Sequence, residues 1–434
     1  MGGQAFASGP DAVATPRMKP EVYMAMRDRC QDKLRGLFEV VATPIEGPAK
    51  TSFGDIDIFV ALEQKHVFTS ADAAPPSPKQ AIYDVLGAIR SKSDNEHAIT
   101  TAIPWPEDFA FETGGSEGKG KVGASTLRGI QVDIHICETV NQLQWMLFKH
   151  AHGDFWNILG STIRPLGLTI DEVGLYVRIP EIEEINKKQA KVLLSTDPGE
   201  VLRFLNLDAE LWEAPFASDE ALFEYATTCR FFWISSHKPT VTANAPDETE
   251  GAKNLKSNER RRLESRPLFR KWVQEFLPAC RESGRFPRTS RPTRDAMRRT
   301  VFAEFPGTEA AYYARRKEWR VKRQRERLWN DVIKPAIPAD VEALRRGCCA
   351  AALKKIILGG DDSSFGIAAP ATLWGADDLF DEDAVRAWVE SHWEAVADTA
   401  WRDNMERFAA SKARKAAADS PGIPGTTSEE TRGD

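Results

Sequence analysis

Two aspartates one residue apart, Asp55 and Asp57, stand in a short β-rich apolar run that follows Gly54. Side chains at positions i and i+2 of a strand project from the same face of a sheet, so both carboxylates can reach one point. Mg²⁺ takes oxygen ligands and keeps waters and substrate phosphates in its shell. The spacing therefore predicts a site for Mg²⁺ or Mn²⁺. The alternative is an edge strand that carries two surface carboxylates.

A third carboxylate, Asp133, lies in the alternating segment Ile130 to Ile136, which is typical of a second strand. If that strand adjoins the first, Asp133 completes a two-metal site, in which one ion activates the attacking oxygen and the other holds the triphosphate and leaving group. His135 follows two residues later and is expected on the same face as Asp133. We interpret it as a packed or surface histidine rather than a catalytic one.

The run from Gly54 to Val60, followed by Val132-Asp133-Ile134, resembles the carboxylate signature of the DNA polymerase β-type nucleotidyltransferase superfamily. Residues 2–6, 15–17, 154–160 and 166–168 also resemble uncharacterised nucleotidyltransferase-like proteins of fungi and large DNA viruses. The resemblance covers roughly residues 1–235. It implies a small mixed sheet with flanking helices, metal ligation by the three aspartates, and transfer of an NMP from an NTP to an acceptor hydroxyl.

The segment ahead of the first aspartate departs from the superfamily pattern. That pattern usually includes a Gly-Ser pair that binds the triphosphate, and residues 42–47 contain no such pair. Lys50 and Ser52 are the candidate replacements as phosphate contacts, or else part of a solvated loop. Gly54 would let the chain pass close to a ligand. Asn157 would hydrogen-bond a base or sugar, or brace the turn that follows it.

Three functions remain open on these observations. The acidic triad favours a nucleotidyltransferase, because three converging acids without a cation repel one another. The missing Gly-Ser pair favours a catalytically inactive nucleotidyltransferase fold that binds nucleic acid or acts as a scaffold. A third candidate is an enzyme that transfers AMP or UMP to protein hydroxyls.

Charge is distributed unevenly along the 434 residues, whose net charge is -6. From Lys253 to Arg327 there are 23 Lys/Arg and 9 Asp/Glu residues. Such a basic, aromatic-containing stretch can neutralise nucleic-acid phosphates. We expect the helices at 259–327 to contact nucleic acid, with RNA as the favoured acceptor, or to dock against the acidic remainder of the chain.

The chain is predicted to be an α+β protein. It comprises a nucleotidyltransferase-like domain (1–236), a linker or long loop (237–258), a mostly α-helical basic domain (259–415) and a disordered tail (416–434). The glycine-rich run at 114–120 imitates a phosphate loop but lacks its spacing, so a hairpin loop is expected there. No apolar stretch is long enough to span a membrane, and the scattered cysteines favour an intracellular location.

Overall fold

The computed structural model describes residues 3–9, 11–68, 76–93, 95–109, 127–234, 257–286, 292–360, 365–375 and 378–418. The chain divides into two compact units, residues 1–309 and 310–434. The predicted boundaries at 236 and 259 follow composition rather than packing and stay predictions. The glycine-rich run 114–120, most of the predicted linker and residues 419–434 lie outside the described residues.

A mixed sheet forms the centre of the first unit and confirms the predicted α+β class. Its strands are β1 (Val13–Ala14), β2 (Phe38–Ala42), β3 (Asp55–Glu63), β4 (Arg90–Ser93), β5 (Ala98–Pro104) and β6 (Leu127–Cys137). The strands pair in the order β2-β3-β6-β5-β4, and β1 adds to β6. β3 and β6 run parallel, whereas β2 and β5 run antiparallel to them.

Helices cover both faces of this sheet. The helices that precede β6 are α1 (Pro20–Arg35), α2 (Lys65–Phe68) and α3 (Pro78–Leu86), and α4 (Val140–His150) follows it. Ile56 and Ile58 of β3 are fully buried against α1 and α3 in the main core. Phe59 points to the other face, where it packs with Leu143 and Met146 of α4. This alternation leaves the aspartates of β3 on the α4 face.

A second, antiparallel sheet completes the first unit together with short helices. Its strands are β7 (Leu168–Ile170), β8 (Leu175–Arg178) and β9 (Lys191–Ser195). The helices around it are α5 (Phe155–Ile163), α6 (Pro180–Glu183), α7 (Pro198–Leu205), α8 (Ala209–Trp212) and α9 (Asp219–Thr227). Trp212 lies among aromatic rings, with centroids 5.0 Å from Phe155 and 5.6 Å from Trp156. These aromatic residues therefore serve the core.

The first half of the basic stretch packs into the same unit. Its helices are α10 (Ser257–Ser265), α11 (Pro267–Lys271), α12 (Leu277–Glu282) and α13 (Arg294–Glu304), with a π-helical turn at Trp272–Phe276. Trp272 is fully buried, and its indole N–H donates to the Ser161 hydroxyl at 3.3 Å. Trp272 thus anchors this segment in the core of residues 1–309.

The second unit is helical and has its own apolar core. Its helices are α14 (Thr308–Arg327, which begins just before the unit), α15 (Lys334–Ala336), α16 (Ala343–Leu353) and α17 (Glu382–Ala418). Val385, Val389 and Val396 of α17 are fully buried with Cys349 of α16. Apolar residues on one face of α17 thus pack into this core.

Candidate active site

The register between β3 and β6 brings the three predicted acids onto one face of the sheet. Asp57 lies directly opposite Asp133, and Asp55 lies opposite Gln131. Because alternate residues of a strand share a face, all four side chains project to the same side. Each aspartate is partly exposed, while Ile56 on the opposite face is fully buried. The strands thus form a rigid base that presents carboxylates to solvent.

Burial and neighbouring negative charges disfavour the charged forms of Asp55 and Asp57. The pKa of Asp57 is raised chiefly by burial and then by the charges of Asp55 and Asp133. Burial also raises the pKa of Asp55, with a further contribution from Asp133. The carboxylates therefore repel one another electrostatically, and a bound cation would relieve this repulsion.

The donor set has the chemistry that a hard divalent cation requires. Carboxylate oxygens suit Mg²⁺ and Mn²⁺, which can complete their shells with waters and substrate phosphates. Within the described residues, however, no three His, Cys, Asp or Glu side chains are already gathered as a metal-binding group. The backbone register thus makes the acids neighbours, and a cation would have to draw their carboxylates together.

Gln131 is a site residue that the sequence did not reveal. Its amide nitrogen donates to both carboxylate oxygens of Asp133, at 3.2 and 3.0 Å, and its amide oxygen accepts from the backbone N–H of Ala5 at 3.0 Å. Gln131 is only 5% exposed. A neutral amide at i−2 from an acid has no distinctive signature in one sequence. Its buried bridge to Asp133 emerges only from the strand register.

The N-terminal segment folds back beside the first aspartate. A side chain on Gly3 would overlap the carbonyl oxygen of Gly54 and lie 3.0 Å from its carbonyl carbon. Gly3 also has φ +88°, a conformation that favours glycine. The N-terminal segment thus makes a close backbone approach to Gly54, and the role of Gly54 beside a ligand stays a prediction.

The two predicted phosphate contacts ahead of β3 already have partners. The Lys50 ammonium pairs with Glu46 at 2.6 Å, and its nitrogen lies 4.7 Å from the ring centre of Phe53. The Ser52 hydroxyl accepts from the Arg17 guanidinium at 2.8 Å. Both residues lie just before the acidic strand, and a phosphate would have to compete with these interactions.

Asn157 lies on α5 and lines a pocket whose described lining contains none of the three aspartates. Its backbone oxygen accepts a long hydrogen bond, 3.4 Å, from the Arg164 guanidinium. The structure therefore places Asn157 in a different cluster from the acids. Its predicted contact with a base or sugar stays a prediction.

His135 shares the face of Asp133, as the alternation predicts. Its ring stacks on Phe59 with centroids 5.1 Å apart, and burial lowers its pKa. The His150 ring lies 6.1 Å from that of His135, and its Nε2 lies 3.2 Å from a carboxylate oxygen of Glu172. These contacts favour the packed interpretation of His135.

Part of the basic stretch is neutralised within the first unit. Four of its cations form ion pairs with acids in the region from Asp154 to α9: Arg266 with Asp154, Lys271 with Asp219, Arg285 with Glu224, and Arg294 with Glu183. These pairs match the predicted alternative of docking against the acidic remainder of the chain. The net charge of the stretch thus overstates the field available to nucleic acid.

None of the described helices combines the length and apolar character needed to cross a membrane. No protein-family model matches the chain, and no curated protein does. A partial likeness exists to the crystal structure of Leishmania infantum polymerase beta in a ternary P/T complex. The identity is 14% and the TM-score 0.29, over 44% of this chain and 74% of the other. So low a TM-score supports no conclusion about this chain.

Proposed function

We propose that this protein is a metal-dependent nucleotidyltransferase that moves an NMP from an NTP to an acceptor hydroxyl. The proposed acceptor is a nucleic acid, and RNA is the favoured candidate. The observation that carries the proposal is the register of β3 and β6, which sets Asp57 opposite Asp133 with Asp55 beside them. The charge of Asp133 contributes to raising the pKa of both Asp55 and Asp57, and Asp55 raises that of Asp57 further. That arrangement has an electrostatic cost and suits a cation.

Each acid has a distinct part in the proposed reaction. Asp55 and Asp57 would bind both ions, and Asp133 would complete the site beneath the attacking hydroxyl. Gln131 holds the Asp133 carboxylate in place through its two donated hydrogen bonds. Bound Mg²⁺ or Mn²⁺ would lower the pKa of the hydroxyl and neutralise charge on the triphosphate. The acceptor hydroxyl would lose its proton to solvent, and its oxygen would form the new bond to the α-phosphorus as the bond to the leaving pyrophosphate breaks.

The test measures Mn²⁺ binding by isothermal titration and then transfer from labelled NTPs to an RNA acceptor. Asp57→Asn and Asp133→Asn remove charge while keeping side-chain shape, and we expect each to weaken Mn²⁺ binding by about tenfold or more. Glu63→Gln is the matched control, because Glu63 is an exposed carboxylate at the end of the same strand. It should leave both Mn²⁺ binding and transfer unchanged.

The competing function is an inactive nucleotidyltransferase fold that binds nucleic acid. It is favoured by the lack, among the described residues, of a gathered three-ligand metal group and by the existing partners of Lys50 and Ser52. Binding of RNA without Mn²⁺ binding or transfer of any NTP would establish that alternative. Mn²⁺ binding that Asp57→Asn and Glu63→Gln affect equally would contradict the proposed site.

A further inference from the structure

A pocket of about 190 Å³ lies in the first unit, where α5, β7 and the basic helix α10 contribute to its wall. Its cationic lining residues are Lys149, Arg164 and Arg262, and its described lining contains no carboxylate. Asn157 and Thr169 add neutral polar groups. Three cationic side chains around one concave surface favour the binding of an anion there.

The three cations come from separate elements, so the cluster is a product of the tertiary fold. Lys149 lies near the end of α4, Arg164 directly follows α5, and Arg262 lies on α10. The Lys149 side chain is only 20% exposed, and its ammonium is 3.9 Å from Glu172. Partial burial strengthens both the repulsion among the cations and their attraction for an anion.

Gly160 provides the space that the Arg164 guanidinium occupies. A side chain at Gly160 would overlap this guanidinium, lying 2.6 Å from its central carbon and 2.8 Å from Nε. Glycine inside a helix costs about 1 kcal/mol relative to alanine. The buried glycine in α5 therefore allows the guanidinium to lie against the helix at the pocket.

We propose that this pocket binds a phosphoryl group. Guanidinium and ammonium groups are the preferred protein partners of phosphate oxygens. The pocket exceeds the roughly 30 Å³ share of one liquid water but is smaller than the roughly 300–1,000 Å³ of typical ligand sites. Its size thus suits a phosphoryl group rather than a whole nucleotide. The phosphate belongs either to the polyphosphate of a nucleotide or to the backbone of a nucleic-acid strand.

The experiment titrates the full chain with inorganic tripolyphosphate in the presence of EDTA, so that metal binding and transfer play no part. We expect Arg262→Gln and Lys149→Gln each to weaken binding by about tenfold or more. Gly160→Ala should weaken it as well, because the added methyl displaces Arg164 while alanine favours the helix. Arg270→Gln removes one exposed cation of the same basic stretch outside the pocket and should change the affinity by less than about twofold.

Displacement of tripolyphosphate by a competitor then distinguishes the two possible sources of the phosphate, a nucleotide and a nucleic-acid strand. Displacement by ATP alone identifies a nucleotide polyphosphate, whereas displacement by a 5′-hydroxyl oligoribonucleotide identifies the strand backbone. Circular dichroism confirms that each variant is folded before titration. The proposal is overturned if tripolyphosphate does not bind, or if the folded pocket variants bind it no more weakly than Arg270→Gln does. Neither result depends on whether the acids on β3 and β6 support transfer.

Discussion

Gln131→Met tests whether the buried amide positions Asp133. The substitution keeps the length of the side chain but removes the donor that lies 3.0 and 3.2 Å from the Asp133 oxygens. A hydrogen bond to a charged group contributes about 1.5–3 kcal/mol, and loss of a residue that orients a metal ligand typically costs 10–100-fold in metal affinity or activity. We therefore expect Mn²⁺ affinity to fall about 10–100-fold. The substitution also removes the acceptor of the Ala5 N–H, and this loss should lower the free energy of unfolding by about 1–3 kcal/mol.

The assay must separate positioning from simple destabilisation. Mn²⁺ titration well below the unfolding midpoint measures the affinity of folded molecules, while urea unfolding measures stability. Thr101→Val is the matched control, because Thr101 is fully buried in β5 and donates to the Arg90 carbonyl at 3.0 Å. Thr101 pairs with Val132 and so projects to the face opposite Asp133. The control substitution should lower stability by about 1 kcal/mol and leave Mn²⁺ affinity unchanged. If Gln131→Met binds Mn²⁺ as tightly as Thr101→Val, the positioning role of Gln131 is refuted.

Three further substitutions test the framework by urea unfolding. Gly3→Ala should cost at least about 1 kcal/mol more than Gly87→Ala, because both glycines have positive φ but only Gly3 faces a backbone carbonyl, that of Gly54. Burial lowers the pKa of His152, so the wild type should lose more stability than His152→Asn as pH falls from about 6.5, where the unfolded imidazole takes up a proton. Trp272→Ala should lower the free energy of unfolding by about 3–5 kcal/mol, because the indole is fully buried.

Each of these expectations has a clear contrary result. Equal losses of unfolding free energy in Gly3→Ala and Gly87→Ala would mean that the N-terminal segment does not pack beside Gly54. Parallel pH profiles for the wild type and His152→Asn would mean that the imidazole is not held in its neutral form. If Trp272→Ala lowers the free energy of unfolding by less than about 1 kcal/mol, α11 and the π-helical turn do not pack in the core of the first unit.

The local elements of the site were predictable because each has a clear local signal. A short β-rich apolar run identified β3, alternation identified β6, and the i, i+2 spacing identified the face shared by Asp55 and Asp57. The register was not predictable, because one sequence does not specify which residues pair across strands. The alignment of Asp57 with Asp133 therefore needed the structure.

Long-range contacts account for what the sequence could not reveal. The bridge from Ala5 through Gln131 to Asp133 joins residues that are distant in the chain. The pocket likewise depends on Arg262 reaching α5 from a later helix. Patterns in a sequence describe neighbours along one element, whereas these features arise from packing between elements.

The missing Gly-Ser pair and the pocket bear on the same question, which is where a triphosphate would be held. The predicted substitutes are already engaged, since Lys50 pairs with Glu46 and the Ser52 hydroxyl accepts from Arg17. A phosphate there must displace these interactions. The pocket instead gathers three cationic side chains, Lys149, Arg164 and Arg262, from separate elements. The proposed phosphoryl site therefore lies at α4, α5 and α10, whereas phosphate contacts from Lys50 and Ser52 on the loop before β3 stay a prediction. We therefore expect Arg262→Gln to weaken ATP binding more than Lys50→Gln does. A larger loss of ATP affinity in Lys50→Gln would instead indicate that the loop before β3 binds the phosphate.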